Sequence, residues 1–138
     1  MSESTLCPFC WGNAKSRMVE VYNSVFAIKD KYPVTESHLL ILPKRHTRDY
    51  FSMTAKERMD ADKLIRVLRN RITRDDPTVT GFNIGMNAGV SAGQTIFHAH
   101  IHLIPRRDKD TPNPHGGVRG VIPEKMAYTV STAPEQKP

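Results

Sequence analysis

Apolar residues along the chain recur at different spacings, and each spacing predicts a different kind of element. Two short runs rich in aliphatic and β-branched residues, Ser24–Asp30 and Ser37–Pro43, are separated by Pro33 and predict an antiparallel pair of strands. Between Thr54 and Pro77, apolar residues return every three or four positions, which is typical of an amphipathic helix packed on a sheet. These residues are Ala61, Leu64, Ile65, Leu68 and Ile72.

The predicted helix carries a start signal and a stop signal. Thr54 is followed three residues later by Glu57, which is the spacing of a capping box whose two side chains bond the free amides of the first turn. The helix is expected to end near Pro77. Two further segments have the composition of strands: Met18–Tyr22, as a short strand or a loop, and Val79–Asn87.

The segment Gly93–Pro105 alternates apolar residues with histidines, and it holds three of the six histidines of the chain. Side chains alternate faces along an extended strand, so His98, His100 and His102 are predicted to project from one face. Three aligned imidazoles can ligate a metal or attack phosphorus. The alternative is a row of ordinary surface or partly buried histidines.

The loop before the histidines contains Gly85, Gly89 and Gly93, which match neither a phosphate-binding Walker loop nor a dinucleotide fingerprint. By themselves they indicate a tight connection between two strands. Next to the histidines, such a loop allows backbone amides and Gln94 to approach a phosphate.

A length of 138 residues suits one domain with its own hydrophobic core. We expect residues 1–130 to form that single domain and residues 131–138 to be a disordered tail. Near the end of the domain, Val118–Val130 is expected to form a short strand or an extended arm.

The composition is basic, with 20 Lys and Arg against 14 Asp and Glu, for a formal net charge of +6. Many of the positive charges lie in Lys63–Arg74 and in Pro105–Arg107. A basic protein favours phosphate-bearing partners, either polymers or small nucleotides, although a solvated basic face explains the first cluster equally well.

Two features bear on the location of the protein. No apolar run approaches the roughly 20 residues of a membrane span. The first residues, Met1–Leu6, lack the basic region and apolar core of a secretion signal. We therefore expect a cytoplasmic protein without membrane contacts.

The only cysteines are Cys7 and Cys10, three positions apart. One such pair cannot cross-link a secreted fold, so the two thiols are half of a zinc site, a redox pair, or unreactive side chains. The zinc interpretation requires two further ligands, for which histidines are suitable.

Four segments together resemble the histidine-triad (HIT) superfamily of nucleotide hydrolases and transferases. Asn87–Arg107 carries the family's alternating histidine signature, and Ser37–His46 is similar to its second strand and following loop. Asp30 falls where the family places a ribose-binding acid or amide, and Cys7–Cys10 is similar to the N-terminal zinc half-site of many bacterial members. The resemblance extends over most of the chain.

The resemblance implies an α+β fold, in which an antiparallel sheet of about five strands carries one long helix and two chains form a homodimer. It also implies a reaction on a purine nucleotide. His100, the middle histidine, would attack the α-phosphorus and form a covalent nucleotidyl-histidine, from which water releases the mononucleotide.

The same resemblance implies roles for other residues. His102 would bond a phosphate oxygen, Gln94 the bridging or leaving oxygen, Asp30 the ribose hydroxyls and Asn87 a phosphate. His38 would be a hydrogen-bonding partner that positions the triad next to the substrate. The alternative is a buried histidine whose hydrogen bonds are satisfied.

It further implies a closed, structural zinc site made of two thiolates and two imidazoles. Its ligands would be Cys7, Cys10, His46 and His98. Unliganded, reduced cysteines are the alternative.

The substrate is less defined than the reaction. Gln94 favours the branch of the family that cleaves dinucleoside polyphosphates, whereas Asn87 is shared more with the phosphoramidases. A phosphorylase, with phosphate as acceptor, is a third possibility. Two alternatives do not involve nucleotidyl transfer. One is a non-catalytic zinc-containing module that binds nucleotides or, less favoured, nucleic acid. The other is a hydrolase with a catalytic metal held by His98, His100 and His102.

Overall fold

The computed structural model describes residues 6–128. They fall into two compact units, Met1–Asp108 and Lys109–Pro138, of which 6–108 and 109–128 are described. The single domain over 1–130 stays a prediction, and the expected tail at 131–138 lies outside the described residues.

Five antiparallel strands form one sheet in the first unit, in the order β1-β2-β3-β5-β4. This arrangement, with a long helix on the sheet, confirms the predicted α+β fold. The two apolar runs pair as expected, with Val25 opposite Pro43 and Lys29 opposite Leu39. The strands are β1 Met18–Tyr22, β2 Val25–Lys29, β3 Leu39–Pro43, β4 Val79–Gly85 and β5 Ile101–Arg107.

Within residues 6–108 there are two α-helices, a four-residue helix α1 at Trp11–Ala14 and the long helix α2 at Ala55–Asp75. The predicted capping box is present: the Thr54 hydroxyl accepts from the Glu57 amide at 3.0 Å, and the Glu57 carboxylate accepts from the Thr54 amide at 2.8 Å. The apolar stripe of α2 is buried as its spacing predicts. Its fully covered members are Ala61, Leu64 and Leu68.

The two faces of the sheet bury different partners. Val25 and Ala27 of β2 belong to a core that includes α2. Phe26 and Ile28, which alternate with them, belong to a second core formed with the cysteine segment at the N-terminus. The sheet therefore separates the helix from the side on which Cys7–Cys10 lies.

The predicted histidine strand is shorter than its alternating pattern indicates. β5 begins at Ile101, so only His102 of the three histidines lies within it. Ile41 pairs with Ile101, and continuing this register places Pro43 opposite Ala99. Proline has no backbone N–H to extend the ladder. The Ala99 amide instead bonds the Thr47 carbonyl at 2.8 Å.

In the second unit, the described residues form helical turns rather than the strand or arm expected over Val118–Val130. A short helix, α3, spans Gly116–Arg119, and a single 3₁₀ turn spans Pro123–Lys125. No helix within residues 6–128 is both long enough and apolar enough to cross a membrane.

The Asp60 carboxylate of α2 holds the turn between β1 and β2. It accepts hydrogen bonds from the Ser24 hydroxyl at 2.6 Å and the Ser24 amide at 3.2 Å, and Lys56 lies 2.9 Å away. The Ser24 and Lys56 hydrogen bonds keep the pKa of Asp60 well below its usual range. Asp60 therefore ties the first hairpin to α2 as a charged group.

We expect Asp60→Ala to lower the free energy of unfolding by about 1–3 kcal/mol near pH 7, because charge-assisted hydrogen bonds to the hairpin are lost. A carboxyl with a depressed folded pKa stabilises the protein above its unfolded pKa of about 3.9 and loses that contribution as the pH falls. The difference between wild type and variant, measured by chemical denaturation, should hold from pH 7 to 5 and shrink below about pH 4.

The matched control is Asp62→Ala, which removes an exposed carboxylate of the same helix that forms an ion pair with Arg66. Its effect should stay below about 0.5 kcal/mol. An equal loss in both variants would show that Asp60 has no special role in holding the hairpin.

Candidate active site and metal-binding cluster

A cleft of about 1080 Å³ opens in the first unit, on the side of the sheet that carries the cysteine segment. It collects residues from the cysteine segment, from β1 and the end of β2, and from the glycine loop. Five of the residues predicted to act on substrate line it: Asp30, Asn87, Gln94, His100 and His102. The sequence therefore identified residues that the fold brings to a single cavity.

The ring of His100 is held with one nitrogen free for chemistry. Its Nδ1 lies 2.8 Å from the carbonyl oxygen of His98. A carbonyl only accepts, so Nδ1 carries the proton, and in the neutral ring Nε2 keeps its lone pair. The Phe9 ring packs edge-on against this imidazole, with centroids 5.0 Å apart. The cleft thus contains an oriented, nucleophilic imidazole nitrogen.

His102 is oriented by a chain of hydrogen bonds that begins at the backbone. The Val34 amide donates to Nδ1 of His38 at 3.1 Å, so the proton of neutral His38 must be on Nε2. That nitrogen lies 2.9 Å from Nδ1 of His102 and donates to it. His102 consequently carries its own proton on Nε2, as a hydrogen-bond donor. This tautomer suits a phosphate oxygen as acceptor.

Burial keeps this pair of histidines uncharged. It lowers the pKa of His38, against the opposing attraction of the Asp30 carboxylate. Burial also lowers the pKa of His102, and the neighbouring His100 and His38 lower it further. Both rings are therefore neutral at pH 7, which is the state that the hydrogen-bond chain requires.

Asp30 sits beside the same pair. Its Oδ1 accepts from the Tyr32 amide at 2.7 Å, and its Oδ2 lies 3.4 Å from Nε2 of His38 and 3.9 Å from Nδ1 of His102. These three side chains are close enough to share a metal ion. The Val34 amide opposes that use, because a metal on Nε2 of His38 would require the proton on Nδ1, facing another donor.

Gln94 is placed differently from the expectation that it contacts the leaving oxygen. Its side chain is buried, and its Nε2 donates to the carbonyls of Arg48 at 2.7 Å and Ile96 at 3.1 Å. Its Oε1 accepts from the Gly89 amide at 2.9 Å. Both amide protons are therefore used by the backbone, and the side chain fixes the glycine loop.

Thr95, the next residue, was not among the sequence predictions. It is exposed and lines the cleft with His100. The only sequence signal was a hydroxyl beside a glutamine in the loop.

Asn87 faces the same loop, where its Nδ2 reaches the Gly93 carbonyl at 3.5 Å. Gly93 has a φ of +90°, a conformation that favours glycine.

Four residues predicted as metal ligands converge away from the cleft lining. Ligand atoms of Cys7, Cys10, His46 and His98 all lie within 4.8 Å of one another. Nδ1 of His46 is 3.2 Å from the Cys10 sulfur, and Nδ1 of His98 is 3.6 and 3.7 Å from the sulfurs of Cys7 and Cys10. A tetrahedral zinc ion with ordinary bond lengths separates nitrogen and sulfur ligands by about 3.5 Å.

The tautomer of His98 also fits a metal. Its Nε2 lies 2.8 Å from the Pro43 carbonyl and must donate to it, so the lone pair on Nδ1 is directed towards the two sulfurs. Two thiols and two imidazoles are the donor set of a structural zinc site. The residues present therefore fit zinc, and the cluster could hold a metal ion.

The three histidines of the triad do not share one metal. His98 belongs to the cysteine cluster and His102 to the group with Asp30 and His38, while His100 belongs to neither. Nδ1 of His100 is already bonded to the His98 carbonyl. Within the described residues, the geometry thus disfavours the alternative in which all three hold a catalytic metal.

Comparison with known families agrees with this geometry. The model of the HIT domain matches residues 12–109. The chain belongs to the HIT family. It is 36% identical over 109 residues to Protein hit of Bacillus subtilis, covering 75% of this chain and 72% of that one. It is also 34% identical over 87 residues to the AP-4-A phosphorylase of Mycobacterium tuberculosis, covering 59% of this chain and 42% of that protein.

Solved structures show the same fold. A histidine-triad nucleotide-binding protein of Sulfolobus tokodaii is 32% identical, with a TM-score of 0.68 over 78% of this chain and 73% of that one. A HIT family hydrolase of Clostridium thermocellum is 29% identical, with a TM-score of 0.63 over 79% of this chain and 97% of that one. The predicted HIT-like fold is confirmed, and the family includes nucleotide-binding and hydrolase-type proteins.

We expect the purified protein to hold one equivalent of zinc, bound by the cysteine cluster. Cys10→Ser should abolish stoichiometric binding, because it removes one thiolate from the ligand set. Elemental analysis after dialysis gives the stoichiometry, and charge-transfer bands after cobalt substitution report thiolate ligation.

The matched control is His38→Ala, in the second group of possible ligands. It should still bind one equivalent, because the Val34 amide leaves His38 in the wrong tautomer for a metal. A wild-type content of two equivalents, falling to one in His38→Ala, would contradict this assignment.

Proposed function

We propose that this protein is a nucleotide hydrolase that cleaves at the α-phosphate of dinucleoside polyphosphates or related nucleoside phosphates through a covalent nucleotidyl-histidine. One observation carries the proposal: the His98 carbonyl holds the proton of His100 on Nδ1 and leaves Nε2 as a nucleophile in the cleft. Membership of the HIT family and likeness to a hydrolase of that family support it.

In the first step, Nε2 of His100 forms a bond to the α-phosphorus, and the bond from that phosphorus to the leaving oxygen breaks. The leaving group departs with the electron pair of that bond and gains a proton from solvent or from a neighbouring donor. In the second step, water attacks the phosphorus, gives up a proton to solvent and displaces the imidazole, which regenerates His100 and releases the mononucleotide. Splitting the displacement in two lowers each barrier.

His102 acts on the phosphate that His100 attacks. As a neutral ring with its proton on Nε2, it donates a hydrogen bond to a nonbridging phosphate oxygen, where negative charge increases as the nucleophile approaches. His38 is a positioning residue, since it fixes the tautomer of His102 from behind. The Val34 amide sets the direction of the whole chain.

The remaining cleft residues bind and shape the substrate. Asp30, at the end of β2, takes the ribose hydroxyls, and Asn87 contacts a phosphate. Gln94 acts through the glycine loop, because its amide is committed to backbone groups. The hydroxyl of Thr95, exposed in the cleft, is the group better placed to donate to the leaving oxygen.

Zinc, when bound by Cys7, Cys10, His46 and His98, supplies stability and takes no part in the reaction. It would join the N-terminal segment to His46, which follows β3, and to His98, which precedes β5.

The homodimer, the purine preference and the cytoplasmic location stay predictions.

One edge of the sheet is suited to pairing with a second copy. β4 lies at the end of the strand order and leaves Ile84 52% exposed, next to Met86 at 37%. An apolar edge strand of this kind favours burial between two chains.

We expect a mass increase of one nucleoside monophosphate after wild-type protein is mixed briefly with a diadenosine polyphosphate and denatured in alkali. Intact-protein mass spectrometry should show no such adduct in His100→Ala, because that variant lacks the attacking nitrogen, although it should still bind nucleotide. Substitution of solvent water by phosphate as acceptor would instead yield a nucleoside diphosphate and identify a phosphorylase.

Near-normal turnover by His100→Ala would eliminate His100 as the nucleophile. Substrate consumption by wild type without any adduct would favour direct attack by water. Neither adduct nor consumption, with any polyphosphate or phosphoramidate, would favour a binding module.

The two loop residues next to each other should respond differently to substitution. Thr95→Val keeps the shape of the side chain but removes the hydroxyl, so kcat should fall by roughly 10- to 100-fold with little change in melting temperature. Gln94→Leu removes the buried partner of three part-buried backbone groups and should lower stability by about 1–3 kcal/mol.

Steady-state kinetics with thermal denaturation separates the two roles. A poor leaving group should make the Thr95 effect larger, since such a group depends more on protonation. If Thr95→Val reacted normally while a stable Gln94→Leu lost turnover, the leaving-group role would return to Gln94.

A further inference from the structure

One end of the cleft carries positive charges that the proposed reaction does not use. Arg17, Lys29 and Lys31 line the same cavity as the histidines, at the start of β1 and the end of β2. Met18 pairs with Ile28 across these strands, so the backbones of Arg17 and Lys29 are both adjacent to this pair. Lys31 follows Asp30 directly. The topology thus gathers three cations around the Asp30 end of the cleft.

These charges are not neutralised within the described part of the chain. The Arg17 guanidinium donates to the Pro8 carbonyl at 3.0 Å, an uncharged partner that holds it against the cleft wall. Neither lysine forms an ion pair there, although other cations of the chain do so: Arg45, Lys56, Arg66, Arg71, Arg74 and Arg107.

Asp30 does not cancel them either. Among residues 6–128, it is the only carboxylate that lines the cleft. Its Oδ1 accepts from the Tyr32 amide, and its Oδ2 is directed at the histidine pair. This end of the cavity therefore has more positive than negative charge. A concave surface with charges of one sign attracts a ligand group of the opposite sign more strongly than a flat surface does.

We propose that Arg17 and Lys31, assisted by Lys29, bind a second phosphate group of the substrate, distant from the phosphorus that His100 attacks. The inference rests on the proposed function, because it assumes that the reacting phosphate lies at the two histidines. It deepens that function by defining the substrate class as nucleotides with two separate anionic groups.

The size of the cleft supports this class. Its volume of about 1080 Å³ is at the upper limit of the roughly 300–1,000 Å³ typical of pockets for small ligands. Room therefore remains beyond the reacting phosphate and its nucleoside. Two substrates place a second phosphate there: a nucleotide phosphorylated on its ribose, which would lie beside Asp30, and the far end of a polyphosphate chain.

The experiment compares kcat/KM for matched substrates. The first pair is the p-nitrophenyl ester of adenosine 5′-monophosphate with and without a ribose 3′-phosphate, so that the leaving group is constant. The second series is diadenosine tri-, tetra- and pentaphosphate. Each is measured with wild type, with the double variant Arg17→Gln/Lys31→Gln, and with Lys63→Gln, which removes an exposed lysine of α2 outside the cleft.

In wild type, kcat/KM at low salt should be about three- to tenfold higher for the ester with the ribose 3′-phosphate than for the ester without it, or for the diadenosine polyphosphate whose chain reaches the cations than for a shorter one. The difference should lie mainly in KM, as expected for exposed charges. The double variant should reduce that ratio to about one, and added salt should reduce it in wild type. Lys63→Gln should keep the wild-type ratio. A preference in the ester pair identifies the ribose phosphate, and one in the polyphosphate series identifies the chain.

Equal kcat/KM ratios in wild type and the double variant would overturn the inference. An equal loss of the ratio in Lys63→Gln would also overturn it, because the overall charge of the protein would then explain the preference. In both cases turnover and the His100 adduct would persist, so the proposed function would stand. Absence of turnover and of the adduct for all substrates would instead show that the proposed function had failed, and the inference with it.

Discussion

The hydrogen bonds of His98 are the constraint on which the site depends. Its Nε2 is bound to the Pro43 carbonyl, its Nδ1 points to the cysteine sulfurs, and its own carbonyl accepts from His100. One residue thus bonds the last carbonyl of β3, completes the metal-binding cluster and fixes the tautomer of the proposed nucleophile. Any change that moves His98 would disturb all three at once.

This arrangement connects stability to chemistry across the sheet. The face of the sheet that packs on α2 contributes apolar residues such as Val25, Ala27 and Ile41 to one core, whereas the opposite face forms its core with the cysteine segment. Phe9, between the two cysteines, packs on the ring of His100. The segment that a metal would hold in place is therefore also a wall of the cleft, and a structural ion there would limit the motion of that wall.

Imidazoles of defined orientation and tautomer distinguish this site from an ordinary cluster of histidines. Each ring has one nitrogen assigned by a backbone group: a carbonyl for His98 and His100, and the Val34 amide for His38, which in turn assigns His102. Backbone groups do not titrate, so the pattern is independent of pH as long as the rings are neutral. Burial lowers the pKa of His38 and His102 and so keeps these two rings neutral.

The sequence alone determined the paired strands and the long helix with its capping box, because hydrophobic period and capping are local properties. Its resemblance to a family also indicated five residues of the cleft: Asp30, Asn87, Gln94, His100 and His102. It also indicated the cysteine and histidine ligands through a family signature. The tertiary structure decided where β5 begins, since Pro43 on a neighbouring strand cannot continue the ladder, and it divided the triad between two sites. It also assigned Gln94 to the backbone and exposed Thr95, because hydrogen-bond partners such as Arg48 and Gly89 are known only once the chain has folded.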